Sequence, residues 1–422
     1  MNIYLDTIGC RLNQSEIERL GAQFRDAGHD LVGAPEDADI IVVNTCTVTH
    51  KAASDSRQMV RRVGRASSAQ IVVTGCWATM EPDSATSLPS VHRVIDNLHK
   101  EELARSVLNI PGTNIPSVTP RQPLPGDRRR TRAFIKCQDG CNRACTYCIT
   151  RIARGKNRSQ PLDEIIGDIR SAIAGGVREV VLTGVQLGAW GQDLEDGQNM
   201  VHLIRAILER TDIPRVRLSS VEPWDLTQDF FDLFKDPRLC RHLHLPLQSG
   251  NPITLRRMAR KTNLAEYQRY VEMARAVSPD IAITTDVIVG FPGENNHQFD
   301  DSLAFIEQIG FAQGHVFTYS ARPGTPAASY PDQITPSEKK RRSGLMHKMF
   351  QQAAERYRRK FIGSSLPVLW ETSQKAGTDW MLEGLSDNYL RVVAKASEDR
   401  WNQVDQAHLQ EIDNGKFIAC LG

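Results

Sequence analysis

Three cysteines stand close together at Cys141, Cys145 and Cys148, in the stretch CNRACTYC, with Tyr147 directly before the third. Thiolates are soft ligands, and three on so short a stretch can converge on one zinc ion or on one iron–sulfur cluster. The two centres ask for different counts. A structural zinc takes four ligands, commonly from paired short Cys/His knuckles. Three thiolates on a four-iron cluster leave one iron open to a further ligand. Cys137 lies four residues upstream of Cys141 and could complete a zinc set. Against that, the apolar run Ala133-Phe134-Ile135 predicts a strand that carries Cys137 into a core.

Three more cysteines are scattered through the N-terminal part, yet they share a local setting: Ile8-Gly9-Cys10, Thr45-Cys46-Thr47 and Gly75-Cys76-Trp77. The pattern around them alternates. Asn2–Thr7 is strand-like, Asn13–Ala27 helical, Ala38–Thr45 a buried strand by its β-branched run, Lys51–Ala66 helical and Gln70–Thr74 another buried strand. Such alternation predicts a parallel sheet with crossover helices. Sites in open α/β sheets form outside the carboxyl ends of the strands, so the three cysteines are expected to meet at one edge. The plain alternative is three small buried thiols, common for free cysteine.

The spacing C-x3-C-x2-C with an aromatic residue before the last cysteine resembles the radical S-adenosylmethionine (SAM) enzymes. The words IGCRLNQSE, VNTCTVT and TGCWA resemble the N-terminal domain of the methylthiotransferases, a branch of that family. With CNRACTYC, they most resemble the subgroup acting on threonylcarbamoyladenosine in tRNA; sister subgroups act on isopentenyladenosine in tRNA or on a ribosomal-protein aspartate. The resemblance spans essentially the whole chain. It implies an α/β protein with an N-terminal parallel α/β sheet domain at 1–110. A central, partial (β/α)6 TIM-like radical SAM barrel would follow at 127–357, and a small C-terminal β-barrel of the TRAM type at 361–422.

The resemblance also implies cofactors and roles. One [4Fe-4S] cluster on Cys141, Cys145 and Cys148 would bind SAM and cleave it to a 5′-deoxyadenosyl radical. A second on Cys10, Cys46 and Cys76 would carry the sulfur, and the methylthio group would go to C2 of the adenosine at position 37, next to the anticodon. Tyr147, Thr183, Gly184, Gln186, Glu222, Gln248, Ile288 and Gly290 are the implied SAM contacts. The implied partners are the tRNA anticodon arm, a one-electron donor such as a flavodoxin or ferredoxin, and a sulfur donor. Asp286–Glu294 departs from the family-wide adenine-side pattern: aspartate stands where the first glycine is often found, and the glutamate comes one place late.

Behind the cluster loop, the chain repeats strand–helix units. Strands are expected at Val177–Thr183, Val216–Ser219, Leu243–Leu247, Ile281–Val289 and His315–Tyr319, with helices such as Leu162–Ala174, Tyr267–Ala276 and Asn296–Ile309. Catalytic groups in such barrels sit on the loops after the strands. Gly184 permits close backbone approach there, and Arg322, in SARPGTP after the last strand, could hold a carboxylate or brace its loop. Pro336–Phe361 is helical. Short strands then follow at Leu366–Glu371, Trp380–Leu385, Tyr389–Ala394, Gln410–Ile412 and Phe417–Leu421, suggesting a small closed barrel of a kind that can bind oligonucleotides. Trp370, Trp380, Tyr389 and Trp401 could stack bases or fill it.

Charge points the same way only locally, because the net charge of +2 over 422 residues is uninformative. Residues 128–158 hold ten Lys/Arg against Asp139, and 339–360 hold nine against Glu355. Arg128, Arg129, Arg130, Arg358 and Arg359 are the expected phosphate contacts. No apolar run reaches the ~20 residues needed to span a bilayer, and the N-terminus lacks signal-peptide architecture. Nine cysteines, an odd number, do not suit a secreted disulfide framework. A reducing cytoplasm and no membrane are expected. The competing class is a non-catalytic zinc protein that binds RNA with the same basic runs.

Overall fold

The computed structural model describes residues 1–110, 120–125, 130–195 and 197–421. Arg128 and Arg129, and most of the proline-rich linker, lie outside the described residues. The β-branched runs form Asn2–Thr7 (β1), Ile40–Thr45 (β2) and Gln70–Gly75 (β3), the three central strands of a five-stranded parallel sheet. Asp30–Leu31 pairs outside β1 and Val91–Ile95 outside β3. Side chains alternate across the sheet. Ile3, Leu5, Ile40, Val42 and Val72 pack toward the helix Arg11–Asp26 (α1), and Ile41, Val43, Ile71 and Val73 toward the helix His50–Ala66 (α2).

Six parallel strands form the central arc: Arg132–Lys136 (β4), Glu179–Thr183 (β5), Arg215–Leu218 (β6), His242–His244 (β7), Ala282–Val289 (β8) and Gln313–Thr318 (β9). They lie in two sheets joined by single parallel bridges, Val216 to Leu239 and Ser220 to His244. Helices lie outside, and several begin at an asparagine whose side chain accepts from the first free backbone N–H groups: Asn199, Asn263 and Asn295. Leu162–Ala174 and Asn296–Ile309 occur as the periodicity predicts. α1 packs beside β4, so the N-terminal sheet leans on the first barrel strand.

The helix Pro336–Arg359 leads into a closed barrel of five strands, Ser365–Ala376, Asp379–Ser386, Arg391–Ala396, Val404–Asp413 and Lys416–Leu421. The strand Val404–Asp413 is longer than the expected Gln410–Ile412 because before Ile412 it sends only Ala407 and Leu409 into the core, and its polar outer face masks the run. Tyr389 is not in a strand. It adopts a left-handed backbone, φ 69°, in the turn between Asp379–Ser386 and Arg391–Ala396. That turn enters the central barrel: Arg217 donates to the carbonyls of Ser386 (3.1 Å) and Asp387 (2.9 Å), and Arg215 to that of Leu385 (3.2 Å). The terminal barrel is therefore keyed into the central one. No helix among the described residues is long and apolar enough to cross a membrane.

Candidate active site

The cluster loop leaves β4 and is pinned to the end of β5 by a single buried side chain. Gln138 donates to the carbonyls of Asp139 (2.7 Å) and Gly140 (2.6 Å) and accepts from the backbone of Gln186 at 2.8 Å. Gly184 is glycine because a Cβ there would stand 2.8 Å from Gln138 Oε1. Gly140, at φ 67°, would put a Cβ 1.9 Å from the Lys156 carbonyl. Within this frame Cys141, Cys145 and Cys148 are all half-buried. Gln186 lies 3.2 Å from the Cys141 sulfur, and the Arg143 N–H points at the same sulfur from 3.4 Å. Arg260 reaches the Cys145 sulfur at 4.0 Å while bound to Glu222 at 2.5 and 3.1 Å. Tyr147 packs edge-on against Phe291, 6.4 Å between ring centres. Desolvation pushes the Cys141 thiol up to about 11, so metal binding must displace its proton.

The second triad is made by a sheet edge. β1, β2 and β3 end side by side, with Asn44 level with Thr7 and Thr45 level with Gly75. Gly9 and Gly75 each precede a cysteine and each has positive φ. A Cβ on Gly9 would lie 2.9 Å from the Cys46 sulfur, and one on Gly75 2.3 Å from the Thr45 carbonyl. Cys46 and Cys76 are buried and Cys10 is exposed. Burial, with Cys10 and Cys76 nearby, drives the Cys46 thiol up to about 11. Asn13 ties the edge together, donating to the carbonyls of Ile8 (2.8 Å) and Thr45 (3.0 Å).

A buried ionic network joins the two triads. Arg154, in the helical turn after Cys148, binds Glu16 at 2.8 Å, Asp139 at 3.0 Å and Asn13 at 2.7 Å. Lys100 and Lys136 add further cations to Glu16 at 2.8 and 3.3 Å. Burial alone would raise the Glu16 carboxyl, but the three cations override it and hold it well below its usual range. Much of the 128–158 charge run is thus spent inside the molecule. Lys136 and Arg154 are buried, Arg132 pairs with Glu371 at 2.6 Å, and Arg130 with Glu18 at 3.1 Å. In the second run, Arg342 is buried against Glu294, whereas Arg358 and Arg359 meet Glu355 near the surface.

Cys10, Cys46 and Cys76 line one wall of a cavity of about 450 Å³, and Thr183, Gly184 and Val185 line another. Its floor holds residues to which the sequence reading gave no role. His242 and His244 alternate on β7, and Asp286 and His315 pair across β8 and β9. Asp286 accepts from His315 at 3.1 Å and lies 3.3 Å from His244; against its burial, these imidazoles hold the carboxyl below the usual range. The His-x-His alternation on a buried strand was the available signal. Gln248 has a left-handed backbone (φ 69°), and its carbonyl accepts from Ile288 at 2.9 Å. Gly290 donates to Glu294 at 2.7 Å. Arg322 braces its loop, donating to Thr47 beside Cys46 at 2.7 Å. Cys137 is buried in the core, as the strand pattern predicts.

Among the described residues, the one group of three ligand atoms lying within 4.8 Å of each other is His244, Asp286 and His315; neither cysteine triad qualifies. A single tetrahedral zinc with ~2.3 Å Zn–S bonds would draw its sulfurs closer than that. Three soft thiolates at each place are a donor set that suits an iron–sulfur cluster.

The Radical SAM superfamily profile matches residues 135–306, and one described as Uncharacterized protein family UPF0004 matches residues 2–96. Threonylcarbamoyladenosine tRNA methylthiotransferase MtaB of Thermotoga maritima is 35% identical over 92% of this chain and 90% of that protein. Its namesake in Bacillus subtilis is 33% identical, over 98% and 96%. The chain belongs to the radical SAM tRNA methylthiotransferases. A tRNA-2-methylthio-N(6)-dimethylallyladenosine synthase of Haemophilus influenzae, 32% identical over 88% of this chain and 82% of that protein, marks the breadth of the likeness. Among solved structures, the radical SAM methyltransferase TsrM of Kitasatospora setae, with cobalamin and a [4Fe-4S] cluster bound, shares the fold. Its TM-score is 0.59 at 15% identity, over 78% of this chain and 77% of that one. Radical SAM methylthiotransferases use SAM and [4Fe-4S] clusters, so family membership sets aside the non-catalytic zinc reading.

Proposed function

We propose that this enzyme transfers a methylthio group to C2 of N6-threonylcarbamoyladenosine at position 37 of tRNA, beside the anticodon. The observation that carries the reading is the pair of cysteine triads, one lining the cavity and the other joined to its rim. Cys10, Cys46 and Cys76 form its wall, and its rim at Thr183–Val185 leads to Gln186 on Cys141. The substrate choice is supported by the words around the cysteines and by the relatives named for threonylcarbamoyladenosine.

Cys141, Cys145 and Cys148 would hold one [4Fe-4S] cluster, and Cys10, Cys46 and Cys76 the second. Bound clusters and SAM supply the one-electron cleavage and the sulfur that replacing an inert C–H bond demands, which no side-chain acid or base can. The chain's own share is placement. Gln138 and Gly184 hold the cluster loop against the end of β5. Tyr147, Thr183, Gln186, Glu222, Gln248, Ile288 and Gly290 line the expected SAM path. The buried Glu16–Arg154 network fixes one triad relative to the other. Arg128, Arg129, Arg130, Arg358 and Arg359 are proposed to meet the anticodon arm, within a chain divided at 1–110, 127–357 and 361–422. A one-electron donor of the flavodoxin or ferredoxin kind and a sulfur donor complete the partners.

Nucleoside mass spectrometry of tRNA tests the reading. A strain lacking the protein should accumulate threonylcarbamoyladenosine without its methylthio derivative, and complementation should restore the derivative. Loss of the methylthio group from isopentenyladenosine instead would transfer the assignment to the sister substrate.

A further inference from the structure

One guanidinium in the cavity has no anion to answer it. Arg11 follows Cys10 directly, lies in the first turn of α1, is half-buried and lines the cavity. Arg154, the other cavity arginine, is saturated by Glu16 and Asp139. Among the described residues Arg11 has no carboxylate within ion-pair distance; its hydrogen-bond partner is neutral, the Tyr389 hydroxyl, which accepts from Nη2 at 3.1 Å. The nearby acid, Asp286, is already shared by His244 and His315.

Tyr389 is built to hold that guanidinium still. Its ring stacks on His242, 4.1 Å between centres with planes 10° apart, and lies under the Arg217 guanidinium at 5.4 Å. Its turn is clamped by the Arg215 and Arg217 hydrogen bonds to the carbonyls of 385–387. One N–H of Arg11 is committed to the phenol, and the remaining fork is free toward the cavity. A fixed fork of this kind pairs with a carboxylate through two parallel hydrogen bonds.

Resting on the substrate reading above, we infer that Arg11, positioned by Tyr389, receives the carboxylate of the threonylcarbamoyl group and so selects this nucleoside. Isopentenyladenosine has no anion to offer and would leave a desolvated guanidinium unpaired. Sites built to pair a polar group reject analogues that lack it far more strongly than apolar pockets reject extra bulk.

The test uses the full-length, cluster-loaded enzyme and anticodon stem-loop RNAs bearing threonylcarbamoyladenosine, its carboxyl methyl ester or isopentenyladenosine. The readout is kcat/KM for the methylthio product, with iron and sulfide content measured for each variant. Wild type should prefer the acid to the ester by about 10–100-fold, the usual scale for a charge-assisted pair. Arg11→Gln should erase that ratio, chiefly through KM; Arg11→Lys should keep part of it; Tyr389→Phe should lower it a few-fold. Because acid and ester are compared on the same enzyme, a partial loss of loading cancels from the ratio. If wild type separates acid from ester and Arg11→Gln separates them equally well, the assignment of Arg11 is overturned while the substrate reading stands. If Arg11→Gln slows all three RNAs alike, Arg11 serves the RNA backbone or the fold, and the assignment is again overturned. If wild type prefers isopentenyladenosine, the substrate reading fails and takes this inference with it.

Discussion

Cys141, Cys145 and Cys148 share one loop whose shape is local: Gln138 bonds within it and Gly140 makes its tight turn. Cys10, Cys46 and Cys76 come from three strand ends and depend on the register of β1, β2 and β3. The first triad is a motif and the second is a property of the sheet. The contrast teaches where each is vulnerable. A loop triad fails when its own residues change, whereas a sheet triad also fails when strands far from the sulfur shift by a fraction of an ångström. The ionic network around Glu16 and Arg154 is what keeps the two from drifting apart.

The largest effect should come from changing Cys141, Cys145 and Cys148 together to alanine. Under the two-cluster proposal, iron should fall from about eight to about four per chain, and both 5′-deoxyadenosine and methylthio product should vanish. Full iron retention would sink the division into two sites. Next, Cys46→Ala or Cys76→Ala should abolish the methylthio product yet leave SAM cleavage within a few-fold of wild type. Loss of deoxyadenosine with the loop cluster still loaded would show that the triads do not divide the labour.

Glu16→Gln should weaken both triads at once. Removing the carboxylate leaves Arg154 and Lys100 buried with one anion fewer, a loss of roughly 3–5 kcal/mol in chemical denaturation of the apoprotein. The folded carboxyl titrates below the free value of 4.5, so its contribution is complete above about pH 4.5 and is lost as pH falls. The gap between wild type and Glu16→Gln should therefore stay level from pH 7 to about pH 4.5 and narrow only below it; a gap that stays constant below pH 4.5 would mean that charge is not the cause. The smallest and most selective effects should come from two glycines. Gly75→Ala and Gly140→Ala should each cost on the order of 2–4 kcal/mol through a strained φ and a backbone clash. The first should deplete iron from the sheet triad and the second from the loop triad. Equal depletion of both sites by either variant would erase the contrast.

The loop triad was legible from spacing alone, and the sheet triad from placement, because strand ends in an α/β sheet share an edge. Charge was the least legible property. The runs at 128–158 and 339–360 suggest a track for phosphate, yet Lys136, Arg154 and Arg342 are internal struts. Sequence counts charges without their partners, and Glu16, the partner of two of them, lies more than a hundred residues away. Tyr389 was misplaced for a related reason. Its neighbours favour a strand, but Arg215 and Arg217, far earlier in the chain, hold its turn in a conformation that local propensity disfavours.

The turn at 386–390 also sets an order of events. Every cysteine of both triads is synthesised before it, and until it docks, Arg215, Arg217 and His242 have no cover on that side of the cavity. Before the turn docks, the cavity that Cys10, Cys46 and Cys76 line lacks the wall that Tyr389 supplies. A chain truncated before the turn would keep its cysteines and lose its enclosure.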